Sequence, residues 1–208
     1  MSRFLCAMFF VLLFVGCATT RMPHDFSEAI PASESAFGRS IQAQAAAHEG
    51  RSGFRLLPNS SEAFRARAEL IRNAQKSVDL QYYIVHNGLS TRALVNEMLL
   101  AADRGVRIRI LLDDMASDGQ EQVIATLAVH PNIHIRVFNP LHLGRSTAVT
   151  RTMGRLLDLS QQHRRMHNKL WLADNSAAIV DGRNLGDEYF DAKPDLNFTD
   201  MDLLCIGP

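Results

Sequence analysis

Three residues, His167, Lys169 and Asp174, stand at the spacing H-x-K-x4-D, and Asn184 follows ten residues after the Asp in the run Gly182-Arg183-Asn184. Side chains at i and i+2 of a strand project from the same face, so an extended backbone here would present the imidazole and the ammonium together. The stretch after the second hairpin strand could bring the Asn184 amide to the same point. A nucleophilic imidazole, a cation and an amide donor suit a phosphoryl group. The imidazole attacks phosphorus while the other two hold the oxygens over which charge spreads. Each residue alone has an ordinary reading: Asp174-Asn175 is what a hairpin turn prefers, and Arg164-Arg165 beside His163 is commonly a solvated face. The weight lies in the combination.

The surrounding sequence alternates strands and helices. Asn59-Ser60-Ser61-Glu62 resembles a capping box and opens a helix with Phe64, Ala68 and Ile71 on one face and arginines on the other. Val78 to Val85 reads as a strand. Ser90 is the expected cap of a helix running to Arg104, with Gly105 as its stop. Val106 to Leu112 and Ile133 to Phe138 are further strands, with a helix through Gln120 to Ala128 between them. Leu170 to Ala173 and Ala177 to Val180 form a hairpin across Asp174-Asn175, and Met201 to Ile206 is a last strand. The pattern predicts an α/β fold of βαβ units with a sheet covered on both faces.

The run His163 to Phe190, HRRMHNKLWLADNSAAIVDGRNLGDEYF, resembles the phospholipase D superfamily signature H-x-K-x4-D-x6-G-[GS]-x-N. Within that superfamily it is similar to bacterial cardiolipin-synthase-like members. Leu80 to His86, Ala101 to Val106, Leu111 to Asp114 and Gly182 to Tyr189 support the likeness, which covers Phe54 to Pro208. The resemblance implies an α-β-α sandwich with a mixed central sheet, one of the two halves of a bilobal enzyme. It implies His167 as nucleophile or proton-transfer partner through a phosphohistidine. It also implies Lys169 and Asn184 as phosphate ligands, Asp174 as a structural member of the catalytic motif, and no metal or organic cofactor. Asp200 is the implied carboxylate that orients His167, with Asp187 and Glu188 as alternatives. Asp181 departs from the pattern, standing where the family carries glycine, and a carboxylate there is expected to repel phosphate. No other histidine has a lysine two residues later, so a second motif is expected from a missing C-terminal half or a homodimer partner.

Composition narrows the class of function. The 208 residues are 47 % hydrophobic and 21 % charged, with nineteen glycines and prolines, which excludes collagen-like, disordered and multi-span membrane chains. Net charge is zero, so no global field draws the protein to nucleic acid. Of the 22 basic residues 19 are arginine and only Lys76, Lys169 and Lys193 are lysine. Cys6, Cys17 and Cys205 are too scattered for a disulfide framework or a zinc site, and Cys205 is expected to be a buried inert thiol.

The N-terminus reads as an address. Phe4 to Val15 is an apolar run too short to span a bilayer, and Phe14-Val15-Gly16-Cys17 resembles a lipobox with Phe14 in the usual Leu position. Residues 1–16 are thus expected to be a signal peptide, Cys17 the lipidated residue, 17–53 a tether with a short helix over Ser40 to Ala47, and 54–208 the domain. The domain's end, just past a core strand, suggests truncation. The expected setting is the bacterial envelope, on a membrane facing the periplasm, with a membrane phospholipid as substrate and water or an alcohol as acceptor. Two other functions stay open: a single-motif dimeric endonuclease, and a catalytically incomplete lipoprotein.

Overall fold

The seven strands form one mixed sheet in the order β1-β7-β6-β5-β2-β3-β4. In this computed structural model, residues 29–114, 121–140 and 164–207 are described; the expected signal peptide and Cys17 lie outside them. The strands are β1 (Gly53–Leu57), β2 (Ser77–Tyr82), β3 (Arg107–Asp113), β4 (Ile133–Phe138), β5 (Leu170–Ala173), β6 (Ala177–Asp181) and β7 (Asp202–Ile206). The α-helices are α1 (Ala36–Ala45), α2 (Ser60–Asn73), α3 (Leu89–Asp103) and α4 (Glu121–Leu127). β2, β3 and β4 run parallel, linked by α3 and α4, while β5, β6, β7 and β1 add antiparallel strands. The expected mixed α/β architecture is thus observed.

Alternation decides which face is core. Val78, Leu80 and Tyr82 of β2 align with Ile108, Ile110 and Leu112 of β3, and Trp171 of β5 faces both Leu80 and Ile179. Trp171 is fully buried and meets the Tyr82 ring edge-on at 6.0 Å between centroids. Such an aromatic pair adds about 1 kcal/mol beyond its burial. α2 and α3 cover this face through Ala63, Ala68, Ile71, Leu94, Met98 and Ala101.

Several elements differ from the sequence expectation. The short helix lies over Ala36–Ala45 rather than Ser40 to Ala47, with the Ser35 side chain accepting from Gly38 N at 2.8 Å. It is docked, since Phe37 packs on the core and Ala36 N donates to Gln75 Oε1 at 2.7 Å; at least this part of the expected tether belongs to the fold. β1 was not anticipated. Its alternate residues Phe54 and Leu56 are exposed, and its pairing with β7, Gly53 against Ile206, joins distant parts of the chain. β2 ends at Tyr82 because the backbone leaves the sheet to follow residues 184–186, with His86 N donating to Leu185 O at 2.7 Å. Ser90 does not cap α3. Asp187, from beyond the hairpin, accepts from Leu89 N at 3.0 Å and Ser90 N at 2.8 Å. Gly105 does end that helix, at φ +90°. Cys205 is only part-buried; burial raises its thiol pKa, which keeps the sulfur protonated.

The hairpin that carries the motif turns through Asp174 and Asn175, both left-handed at φ 47° and 51°, and closes with Ser176 N donating to Ala173 O at 2.9 Å. Asp174 is fully buried, and its carboxylate accepts from the backbone N–H groups of Gln75 (3.0 Å), Lys76 (2.8 Å) and Ser77 (2.9 Å). It therefore clamps the β5–β6 turn to the loop between α2 and β2. Replacing it with alanine leaves three backbone donors, the buried Ser77 N–H among them, without their acceptor. Asp174→Ala is expected to lower unfolding stability by about 3 kcal/mol, read as a reduced urea midpoint.

Candidate active site

His167 and Lys169 lie just before β5, in extended chain that is itself held from below. Arg165 pairs with Asp113 at the end of β3 at 3.1 Å, and Met166 N donates to the same carboxylate at 2.9 Å. Asn168 Nδ2 donates to Gln81 Oε1 at 2.9 Å. Arg165 is therefore an anchor and not the solvated residue that the sequence suggested. The i, i+2 expectation holds in space: Lys169 Nζ is 3.0 Å from His167 Nδ1 and 3.2 Å from Nε2. The imidazole is exposed and the ammonium buried. The Tyr83 ring lies against His167 at 4.8 Å between centroids. The ammonium is within reach of both ring nitrogens at once, so it lies over the imidazole rather than on the lone pair of one nitrogen.

Asn184 is buried in the segment that follows β6. Its Oδ1 accepts from Ile84 N at 3.2 Å and its Nδ2 donates to Tyr189 Oη at 2.9 Å. Among the described residues its second Nδ2 hydrogen has no acceptor. Asp174 is separate from this group, committed to its turn as described.

The three carboxylates considered for orienting His167 are used otherwise, and none among the described residues accepts from it. Asp200 Oδ1 accepts from Met201 N at 2.8 Å, and its carboxylate lies on Gly182, where a Cβ would overlap it. Asp200 acts on Lys169 through its charge. Asp187 caps α3. Glu188 is buried and pairs with Nδ1 of His86, an exposed imidazole, with Lys193 Nζ 3.4 Å from its other oxygen. Although burial works to raise the Glu188 pKa, its own backbone N–H, His86 and Lys193 more than offset it.

Beneath Lys169 lies a buried charged cluster that the sequence reading missed. Arg67 of α2, expected on a solvent face, is fully buried. Its guanidinium pairs with Asp181 and, at 2.9 Å, with Asp202, while Tyr82 Oη donates to Asp181 Oδ2 at 3.1 Å. Arg183, also buried, lies 3.0 Å from the other Asp202 oxygen. The spacing carried a signal, since Arg67 is four residues from both Ala63 and Ile71, which face the core. Burial works against the Arg67 charge, but Tyr82, Asp181 and Asp202 more than reverse it, so Arg67 stays cationic. Burial drives the Tyr82 phenol up, beyond any physiological ionisation. It likewise pushes Asp181 up to about 6, against Arg67 and together with the like charge of Asp202. The expected repulsion of phosphate by Asp181 is thus countered by a cation in direct contact. Among the described residues, no three His, Cys, Asp or Glu side chains group to hold a metal ion.

Residues 68–202 match the family model described as cardiolipin synthase, PLD-like domain. The chain belongs to the phospholipase D superfamily. It is 42 % identical over 161 residues to cardiolipin synthase C of Escherichia coli (strain K12), covering 77 % of this chain and 33 % of that protein. It is 45 % identical over 152 residues to an uncharacterised protein of Helicobacter pylori, covering 73 % and 30 %. The chain thus spans about a third of the length of these curated relatives. NucT from Helicobacter pylori shares the fold at TM-score 0.52 and 17 % identity, over 75 % of this chain and 85 % of that one. Phosphatidylserine synthase of Haemophilus influenzae Rd KW20 does so at TM-score 0.53 and 14 % identity, over 74 % and 33 %.

The buried acid of this phospholipase D fold gives a pH signature. Asp181 has a native pKa of about 6 against an ordinary 3.8, so between these values the folded state binds more protons than the unfolded one. Its contribution is therefore full below about pH 4 and declines as pH rises to 6. Relative to Asp181→Asn, the unaltered chain should lose stability across pH 4 to 6, measured by urea unfolding at stepped pH.

Proposed function

We propose that this chain supplies one half of a phospholipase D-type active site that cleaves or transfers the phosphodiester of a glycerophospholipid, in the manner of a cardiolipin synthase. The observation that carries this reading is an exposed imidazole 3.0 Å from a buried ammonium in a chain 42 % identical to cardiolipin synthase C. In the resting site the Lys169 ammonium lies against the imidazole. An arriving phosphate becomes the partner of Lys169, and a nitrogen lone pair of His167 attacks phosphorus. A bond forms from imidazole nitrogen to phosphorus, and the bond from phosphorus to the leaving oxygen breaks. That oxygen takes its proton from an acid on the opposite side, the role of a second motif in the rest of a longer polypeptide or in a second copy. The oxygen of water or an alcohol then bonds to phosphorus and gives its proton to the same group, while the phosphorus–nitrogen bond breaks and its electron pair returns to His167. Lys169 and the free Asn184 N–H hold the oxygens through both steps.

An apolar address ending at Cys17 fits attachment to a membrane of the bacterial envelope on its periplasmic side, where the substrate is concentrated. Among the described residues no helix is long and apolar enough to cross a membrane. The site needs no metal in this scheme.

The test is turnover of phosphatidylglycerol in mixed micelles by the full-length gene product and by His167→Ala. Formation of cardiolipin or phosphatidic acid is expected, reduced on the order of 100-fold or more in the variant. Equal turnover by both overturns the assignment. Plasmid cleavage lost in the variant, without lipid turnover, would select the endonuclease reading.

A further inference from the structure

A row of side chains crosses the sheet directly beneath His167. Asp202 and Asp181 are partners in the β6–β7 register. The β5–β6 register, Trp171 against Ile179, continues for two more residues to set Asp181 opposite Lys169, with Asp181 N donating to Lys169 O at 3.3 Å. Tyr82, the residue after the last β2–β5 pair of Gln81 with Leu170, donates its hydroxyl to Asp181 Oδ2. Residues directly opposite share a face, so the row reads Asp202, Asp181, Lys169 on the side where α2 lays Arg67 across it. The Asp181 side chain has no exposed surface. Its Oδ2 accepts from Arg67 and Tyr82, while Oδ1 is buried with no hydrogen-bond donor among the described residues.

Lys169 is the counterpart of this arrangement. It is 6 % exposed, and removing an ammonium from water favours its neutral form unless a negative charge faces it. The charged and titratable groups around it are Asp181 from β6, Asp200 from the segment before β7, His167 beside it, and Arg67 from α2; the Tyr83 ring lies 5.6 Å from Nζ. Arg67 is matched by Asp202 as well as by Asp181. Asp181 therefore stands beside Lys169 across the β5–β6 pairing, and its charge acts on the ammonium.

We propose that Asp181 is a positioning residue for Lys169: its buried carboxylate, the cross-strand neighbour of Lys169, keeps the ammonium charged for the phosphate of a phosphodiester substrate. Arg67 makes this tenable by balancing the carboxylate, so an incoming phosphate meets Lys169 and not an unpaired anion. The nature of the ligand rests on the phosphodiester reading above; the charge relation between the two residues belongs to the chain alone.

The chain has three lysines, so 13C-lysine labelling yields three Cε resonances, and loss of one in Lys169→Arg assigns it. Asp181→Asn keeps an oxygen acceptor for Tyr82 and Arg67 and removes the charge. Its Lys169 is expected to titrate about one pH unit lower, a tenfold loss in proton affinity. Asp202→Asn disturbs the same Arg67 from one strand further away and should shift Lys169 by less than half as much. An unmoved Lys169 in Asp181→Asn, or an equal shift in Asp202→Asn, overturns the proposal. Where Asp181→Asn does not fold, the unaltered chain decides. Its Lys169 resonance should show an inflection near pH 6, where Asp181 takes up its proton, and a flat response there overturns the proposal. These titrations read no turnover, so their failure leaves the lipid chemistry standing, and an inactive chain can still satisfy them.

Discussion

The guanidinium of Arg67 is the interaction on which the site end of the sheet depends. It joins α2 to β6 and β7 at once, through Asp181 and Asp202, and donates to the Ala63 carbonyl of its own helix at 2.8 Å. Two carboxylates face each other across β6 and β7 at the point where the motif enters the sheet, and without a cation between them burial would be prohibitive for both. Arginine suits this position because its planar fork can serve two acceptors while staying charged in an apolar setting. The phenol of Tyr82 and the guanidinium of Arg183 complete the shell. The register of β5, β6 and β7 and the seating of α2 are thereby made conditional on one another.

On this base the site separates its two working groups by exposure. The imidazole of His167 faces outward, braced by the Tyr83 ring, while Lys169 stays inside. Burial makes a cation more effective toward a phosphate, because less water screens it, but also harder to keep charged: burial lowers the Lys169 pKa while Asp181 and Asp200 resist. Gly182 lets Asp200 join this balance, since any side chain there would take the space of its carboxylate. The charge that meets His167 is that of Lys169, and residues that do not touch the imidazole tune it.

The parts of the fold that were legible are those written in short-range periodicity. The β5–β6 hairpin, the pairing of His167 with Lys169, and the strands β3 and β4 follow from alternation and turn residues alone. What escaped was specified by partners far along the chain. β1 exists because β7 pairs with it, and its exposed Phe54 and Leu56 give no alternating signature. Arg67 looked like a surface residue because its two carboxylates lie more than a hundred residues away. Asp187 and Glu188 stood as alternatives for orienting His167, and each instead serves a partner about a hundred residues earlier. One caps α3 and the other holds His86. The departure at Asp181 was legible as a substitution; that a buried cation answers it was not.

The cap on α3 carries a consequence for how this chain acquires its shape. Leu89 and Ser90 receive their acceptor from a residue 97 to 98 positions later, so the first turn of α3 is unsatisfied until the hairpin and its trailing loop have arrived. A helix capped locally can form ahead of its surroundings, whereas this one must wait on a long loop closure with its entropic toll. High contact order of this kind slows folding and makes the order of events directional. The parallel half of the sheet thus depends on the antiparallel half for the cap of the helix that joins β2 to β3.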